Sequence, residues 1–390
     1  MSLQHNEIIY LDHAATSWPK PPEVIDAVVK AMQDDAANPG RGSHRMAVRA
    51  SRILFDARKK LSKLFHIKNP NDIAFTSNTT MALNMAIKGW LKQGDHVIAT
   101  SVEHNSVRRP LYELERSRGV QVTYIEGDEV GLIDVKEIEA AIQSNTVLIV
   151  VNHSSNLLGT ILPVSDIGEV AKKHGVKLLV DAAQSAGVLP IDVEAMGIHM
   201  LAFPGHKGLL GPQGTGGLYI ASELELEPLL HGGTGSQSEA LQQPLVRPDR
   251  YEAGTQNTPG LAGLQAGVQY ILNETVEKIH TNEWALAQRL MEGLKSVNGI
   301  RLLGPELNQP RTGIASFTAS NIDPSEMAFI LDQYYGIAVR SGYHCTPLAH
   351  HCAGTEGTGA VRASVGVYTT EDDISALIAA VSEIVEQYDV

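Results

Sequence analysis

Lys207 stands in the run Gly205-His206-Lys207-Gly208, straight after the apolar stretch His199–Phe203 and before the glycine-rich Gly211-Pro212-Gln213-Gly214-Thr215-Gly216-Gly217. An amine between glycines at a strand end can be desolvated and held neutral, as a lysine that condenses with an aldehyde must be. Elsewhere such a lysine would be a surface charge. Asp181 follows Lys177–Val180 and heads Asp181-Ala182-Ala183-Gln184. A carboxylate buried there needs a cationic partner, for which a protonated ring nitrogen would serve, unless it merely caps the next turn. Ser77-Asn78-Thr79-Thr80 opens a helical pattern after Ile73–Thr76. Hydroxyls and free N–H groups at a helix start suit a phosphate, although plain capping uses the same residues. His104, in Glu103-His104-Asn105, follows Val97–Thr100. It could stack on a flat ring, move protons, or be an ordinary loop histidine. His153-Ser154-Ser155-Asn156 follows Val147–Asn152 in the same way.

All of these positions come directly after short apolar runs. Seven such runs serve as candidate strands: Ile73–Thr76, Val97–Thr100, Gln121–Ile125, Val147–Asn152, Lys177–Asp181, His199–Phe203 and Gly217–Ile220. Amphipathic segments at Thr79–Leu91, Val107–Arg118, Val135–Ile142 and Ile167–His174 lie between them. Strands apolar on consecutive residues are those covered by helices on both faces, so the pattern predicts an α/β fold with a mostly parallel seven-stranded sheet flanked by helices. In such sheets ligands sit at the carboxyl ends of the strands, where these residues fall. Beyond the Gly-, Gln- and Pro-rich stretch Gly232–Pro259, one long helical pattern runs over Leu261–Val297. A strand near Gly313–Thr318, a helix over Pro324–Tyr334, a strand at Ile337–Arg340 and a helix from Glu371 follow. We expect a large domain over 16–258 and a smaller α+β domain over 1–15 and 259–390. Met1–Leu3 are consistent with an expression remnant. No internal repeat or low-complexity segment occurs.

A phosphate cup, a ring-stacking histidine, an aspartate for a ring nitrogen and a lysine for an aldehyde, all on one sheet edge, fit pyridoxal phosphate and few other ligands. The chain resembles fold-type I pyridoxal-phosphate enzymes of the class V aminotransferase group, and among them the cysteine desulfurases. The likeness runs from Tyr10-Leu11-Asp12-His13-Ala14-Ala15-Thr16-Ser17 to Val361–Thr370. It implies that Lys207 carries the cofactor as a Schiff base and shuttles protons. It places Asp181 on the pyridine nitrogen, Gln184 on the phenolic oxygen and His104 on the ring. Thr79, Thr80 and His206 would bind the phosphate, joined by Thr255 from a neighbouring subunit, which implies a homodimer. Arg362 would take the substrate carboxylate in a bidentate fork, with Asn156 and Arg340 completing the substrate site.

Arg340-Ser341-Gly342-Tyr343-His344-Cys345 resembles the segment that carries the sulfur-accepting cysteine in the Suf-type subgroup. The resemblance implies conversion of L-cysteine to L-alanine, with sulfur held as a persulfide on Cys345 and passed to an acceptor protein. Arg340 or His344 would lower the thiol pKa. Two positions depart from the subgroup. Pro204 replaces a phosphate-binding hydroxyl, a loss of about 0.5–1.5 kcal/mol if one neutral hydrogen bond is missing. Tyr343 replaces the first of two histidines. Selenocysteine lyase, class V aminotransferase and a non-catalytic interaction protein on the same fold are the alternatives.

Composition narrows the partners. The net charge is −13 and no Lys/Arg-rich block occurs, which argues against nucleic acid. No apolar run approaches the roughly 20 residues of a membrane helix, and no signal peptide is seen, so a cytoplasmic location is expected. The only cysteines, Cys345 and Cys352, fit a reducing compartment rather than a disulfide framework. They lie close to His344, His350 and His351, but not in the paired spacing of a zinc site, so no metal is expected. Cys352 reads as a second sulfur acceptor or a small hydrophobe.

Overall fold

The computed structural model describes residues 8–40, 42–237 and 239–388. Residues 1–7 of the expected small-domain segment, with Met1–Leu3, lie outside them. The chain opens with β1 (Ile9–Tyr10), α1 (Pro22–Asp34) and α2 (Arg45–Leu64). Strands and helices then alternate: β2 (Ile73–Thr76), α3 (Thr79–Trp90), β3 (His96–Thr100), α4 (Asn105–Arg118), β4 (Gln121–Ile125), α5 (Val135–Ala140), β5 (Thr146–Asn152), α6 (Val164–His174) and β6 (Lys177–Asp181). β7 (Met200–Pro204) and β8 (Gly216–Ile220) follow without an intervening helix. After them come α7 (Thr258–Glu274), α8 (Val276–Lys295), β9 (Ile300–Leu303), β10 (Ile314–Ala319), α9 (Pro324–Tyr335), β11 (Ile337–Ala338), β12 (Arg340–Gly342), α10 (Pro347–Cys352), β13 (Ala360–Ser364) and α11 (Glu371–Tyr388).

The seven strands β2–β8 form one sheet in the order β2-β8-β7-β6-β5-β3-β4. Only β8 runs against its neighbours; the other pairings are parallel. The expected α/β architecture is therefore present. Leu178, Leu179 and Val180 of β6 are wholly buried on successive residues, because helices cover both sheet faces. The parallel strands end on the same side, and the chain turns there into the residues that matter.

A second, antiparallel sheet has the order β12-β13-β10-β9, and β1 pairs with β11. Leu11 joins Phe317, Leu331, Val361 and Leu377 in a separate apolar cluster. α7 and α8 replace the single helix expected over Leu261–Val297. They meet at Thr275, whose φ is +69°. A β-branched residue pays for that conformation, and here it caps α8 while its N–H still bonds Ile271. The packing changes along α8: Leu264, Val268 and Ile271 of α7 and Ile279 near the start of α8 belong to the larger cluster, whereas Leu290 and Leu294 further along α8 belong to the smaller. The strand expected at Ile337–Arg340 is also divided, with β11 and β12 joining different sheets. No described helix is long and apolar enough to cross a membrane.

Candidate active site

Asn78, Thr79, Thr80, His104, Ser106, Asn152, Asn156, Asp181, Gln184, Pro204, His206 and Lys207 line one cavity of about 570 Å³ at the strand ends. The strand-end residues singled out in the sequence thus meet around one space. Asn78 caps α3, its Oδ1 accepting from Met81 N–H at 2.9 Å. Capping is therefore done by Asn78, and Thr79 and Thr80 begin the helix on the cavity wall, where the positive helix end favours an anion.

His104 caps α4. Its Nδ1 accepts from Ser106 N–H at 3.0 Å, which assigns the ring proton to Nε2. Burial first, then the nearby Lys207 charge, pulls its pKa down to about 4, so the ring is neutral near pH 7. Ser106 Oγ lies 2.9 Å from His104 Nδ1 and 2.8 Å from Thr80 Oγ1, linking the ring to the helix start. Ser106 escaped the sequence reading, since an isolated serine at a helix start gives no signal beyond ordinary capping.

Asp181 ends β6, buried, with Oδ1 accepting from Ala183 N–H at 2.9 Å. Burial raises its pKa, against the opposing pull of Lys207. Burial lowers the Lys207 amine, and Arg362 adds to the effect. Lys207 Nζ makes no hydrogen bond to any described residue. The Lys207 turn requires its glycines: a Cβ on Gly205 would sit 2.0 Å from Thr215 Oγ1, and one on Gly208 would sit 2.5 Å from the Ala186 carbonyl. The His206 carbonyl is pinned by Ser17 N–H (3.0 Å) and Lys20 Nζ (2.9 Å), so the N-terminal segment holds the turn. His206 Nδ1 lies 3.1 Å from Thr16 Oγ1. Gln184 Nε2 donates to the Ala14 carbonyl at 3.1 Å.

These residues fit pyridoxal phosphate. Asp181 is a buried carboxyl supported by a single backbone donor, and Asn152 Oδ1 is buried with no partner, both on the wall of an open cavity. A flat cationic ring with polar substituents would answer that polarity, and the helix start at Thr79 stands ready for its phosphate. Pro204 lines the same wall and offers neither hydroxyl nor N–H.

Arg362, on β13, is 2% exposed. Its Nη1 donates to the Asn156 carbonyl and its Nη2 to Asp12 Oδ1, both at 2.9 Å, and its Nε is buried without a partner. Asp12 as counter-ion was not foreseen, because the two lie 350 positions apart. Arg340 is exposed on β12 and stands opposite Arg362 in the sheet register. Thr255 is not in this cavity; it lines another, with Asn38, Arg58 and Glu252.

Cys345 is exposed and free. His344 and Cys345 have φ of +48° and +58°, a conformation that costs non-glycine residues roughly 1–3 kcal/mol each. The Cys345 carbonyl accepts from Asn105 N–H at 2.8 Å, which ties the thiol segment to the residue beside His104. The expectation that His344 acidifies the thiol fails. His344 is buried and its Nε2 donates to the Ala360 carbonyl at 3.1 Å; burial, then Arg362, pulls its pKa down to about 3, so it carries no charge at neutral pH. Its ring stacks on His350 at 5.9 Å, and Tyr343 meets His350 edge-on at 5.3 Å. Among the described residues, no three His, Cys, Asp or Glu side chains are grouped to hold a metal ion. Cys352 is partly buried, with its Sγ 3.3 Å from Ser101 Oγ.

A second cavity, of about 490 Å³, shares Lys207 and Gln184 with the first and adds His13, Thr312 and Glu283. Glu283 is buried without a hydrogen bond or ion pair to any described residue, and burial pushes its pKa up to about 8. It too escaped the sequence reading, since a glutamate on a mixed helix looks like a surface charge.

Residues 9–377 match the family described as aminotransferase class-V. A probable cysteine desulfurase of Methanothermobacter thermautotrophicus is 39% identical over 96% of this chain and 94% of its own length. A cysteine desulfurase of Haloferax volcanii is 31% identical over 96% of this chain and 88% of its own. The apo structure of a cysteine desulfurase from Thermococcus onnurineus superposes with a TM-score of 0.93 at 35% identity, covering 98% of this chain and 96% of the other. With a fold, a cavity and a chain-long likeness that agree, this protein belongs to the class V aminotransferase family and, within it, to the cysteine desulfurases.

Proposed function

We propose that this chain converts L-cysteine to L-alanine and takes the released sulfur onto Cys345. The observation that carries the reading is the meeting of Lys207, Asp181, His104 and the Thr79–Thr80 helix start in one cavity, with Cys345 tied to Asn105 beside it. Pyridoxal phosphate, when bound, supplies an electron sink for the substrate α-carbon. Thr79, Thr80 and His206 hold its phosphate, Asp181 faces its ring nitrogen, Gln184 its phenolic oxygen, and His104 packs on the ring. Lys207 Nζ, with its lowered pKa, anchors the cofactor and then moves the α-proton. Arg362 and Asn156 orient the carboxylate, with Arg340 at the margin. Cys345 Sγ forms an S–S bond as the substrate C–S bond breaks; the C–S electron pair stays with the carbon fragment, whose β-carbon takes up the proton released by the Cys345 thiol, and alanine leaves with its α-proton returned.

Thr255 reaches the phosphate of a second copy, so the working unit is a homodimer, and an acceptor protein collects the sulfur. Two free cysteines suit a reducing, cytoplasmic setting. We further propose the division into a large unit over 16–258 and a small one over 1–15 and 259–390.

The test is incubation of purified protein with pyridoxal phosphate, a reductant and L-cysteine, against the Cys345→Ala variant. Equal alanine and sulfide, lost in the variant, are expected. Alanine formation undiminished in Cys345→Ala would remove Cys345 from the route. No alanine from cofactor-loaded protein would overturn the reaction and direct the search to selenocysteine and to keto-acid acceptors.

A further inference from the structure

The carboxylate position and the thiol segment are joined through one side chain. Arg362 Nη1 donates to the Asn156 backbone carbonyl at 2.9 Å. Asn156 Nδ2 donates to the His344 backbone carbonyl at 2.7 Å. His344 Nε2 donates to the Ala360 carbonyl at 3.1 Å, two residues before Arg362 on β13. The hydrogen bonds thus close a ring through Arg362, Asn156, His344 and β13. Cys345 is the next residue, and the carbonyls of the left-handed pair His344–Cys345 are both held, His344 by Asn156 and Cys345 by Asn105. Asn156 is buried and also lines the cavity. Asn156 therefore lines the cavity and also holds the backbone that leads to the thiol.

We propose that Asn156 is a positioning residue that couples arrival of the substrate carboxylate to release of the Cys345 segment. A carboxylate drawn to Arg362 draws the Asn156 amide towards it and away from the His344 carbonyl. The His344 carbonyl loses its donor, and the strained His344–Cys345 step relaxes and frees the thiol to move. Before substrate arrives, the same bond holds the thiol still. The inference rests on the reading of Arg362 and Asn156 as the carboxylate site.

The experiment follows alkylation of Cys345 by iodoacetamide in the cofactor-loaded enzyme, by intact mass, in a Cys352→Ala background. L-alanine serves as the probe, since it carries the carboxylate and ammonium without sulfur. Its binding is followed separately by the change in cofactor absorbance. Saturating L-alanine is expected to speed alkylation about threefold or more. Asn156→Ala without ligand is expected to show a similar acceleration, since it removes the same bond, and to respond no further to L-alanine. Asn156→Asp, which cannot donate, should match it. An unchanged or slower rate in the ligand-saturated parent overturns the proposal, as does an unaccelerated ligand-free Asn156→Ala. L-alanine binding that is equally tight in Arg362→Gln would instead show that the carboxylate reading itself has failed.

Discussion

The residues around Lys207 sit at the ends of strands buried on both faces, whereas Cys345 sits between a three-residue strand and a six-residue helix. Around Lys207 the side chains converge because parallel strands end together, with a single left-handed non-glycine residue, Leu210, in the turn that follows. Around Cys345 the backbone does what the sheet does not dictate: two consecutive residues take left-handed angles, held by donors from α4 and from the β5–α6 connection. One region is preorganised by burial. The other is strained and held by a few hydrogen bonds, each worth about 0.5–1.5 kcal/mol. On the proposed reading, Lys207 and Asp181, which must stay still, belong to the first region, and Cys345, which would accept sulfur, belongs to the second.

If the two regions communicate through Asn156, a change at other residues of one should leave the other unaltered. Lys207→Ala should give the largest effect, a fall of at least about 10³-fold in alanine formation with loss of the covalent cofactor absorbance. Ligand-free alkylation of its Cys345 should match that of the parent; a change beyond about twofold would break the separation. Asp181→Asn should cost roughly 10²-fold in kcat, since it removes the charge placed for the ring nitrogen, again with Cys345 labelling unaltered.

Glu283 tests the cost of burial on the cofactor side. Its carboxyl is raised from 4.5 in the unfolded chain to about 8 in the fold, so the folded state holds the extra proton between those pH values. Wild-type stability should therefore fall as pH climbs from about 4.5 towards 8. Glu283→Gln should melt near the wild-type temperature at pH 4.5 and several degrees above it at pH 8, a gap on the order of a few kcal/mol. A constant gap across that range would mean that Glu283 is not held neutral. The smallest effect should come from Tyr343→Phe, which removes the hydroxyl that donates to the Glu356 carbonyl. Melting should shift by a degree or two, while Cys345 alkylation rises up to about tenfold. An equal change in cofactor affinity would show that the regions are not independent.

The same contrast governs what could be read before folding. The residues that line the Lys207 cavity were legible because they follow apolar runs, and apolar runs in this fold lead to one edge. Asp12, Ser106 and Glu283 were not, because their roles depend on partners far along the chain or on burial that a mixed helix hides. The break at Thr275 was missed because periodicity continues through it and no Gly or Pro stands beside it. His344 beside Cys345 read as a cation, and burial under the Ala360 carbonyl makes it neutral.

The sequence by itself determined the α/β class, the seven strands and the residues that end them, since hydrophobic periodicity and local turn chemistry are short-range properties. It also marked Cys345 through resemblance. Only the tertiary structure decided that Arg362 is already paired with Asp12, that Thr255 lies away from the Lys207 cavity of its own chain, and that Asn156 reaches the carbonyl before Cys345. Those facts depend on contacts between residues 188 and 350 positions apart. Such contacts form when two sheets and their cores pack, and no local pattern records them.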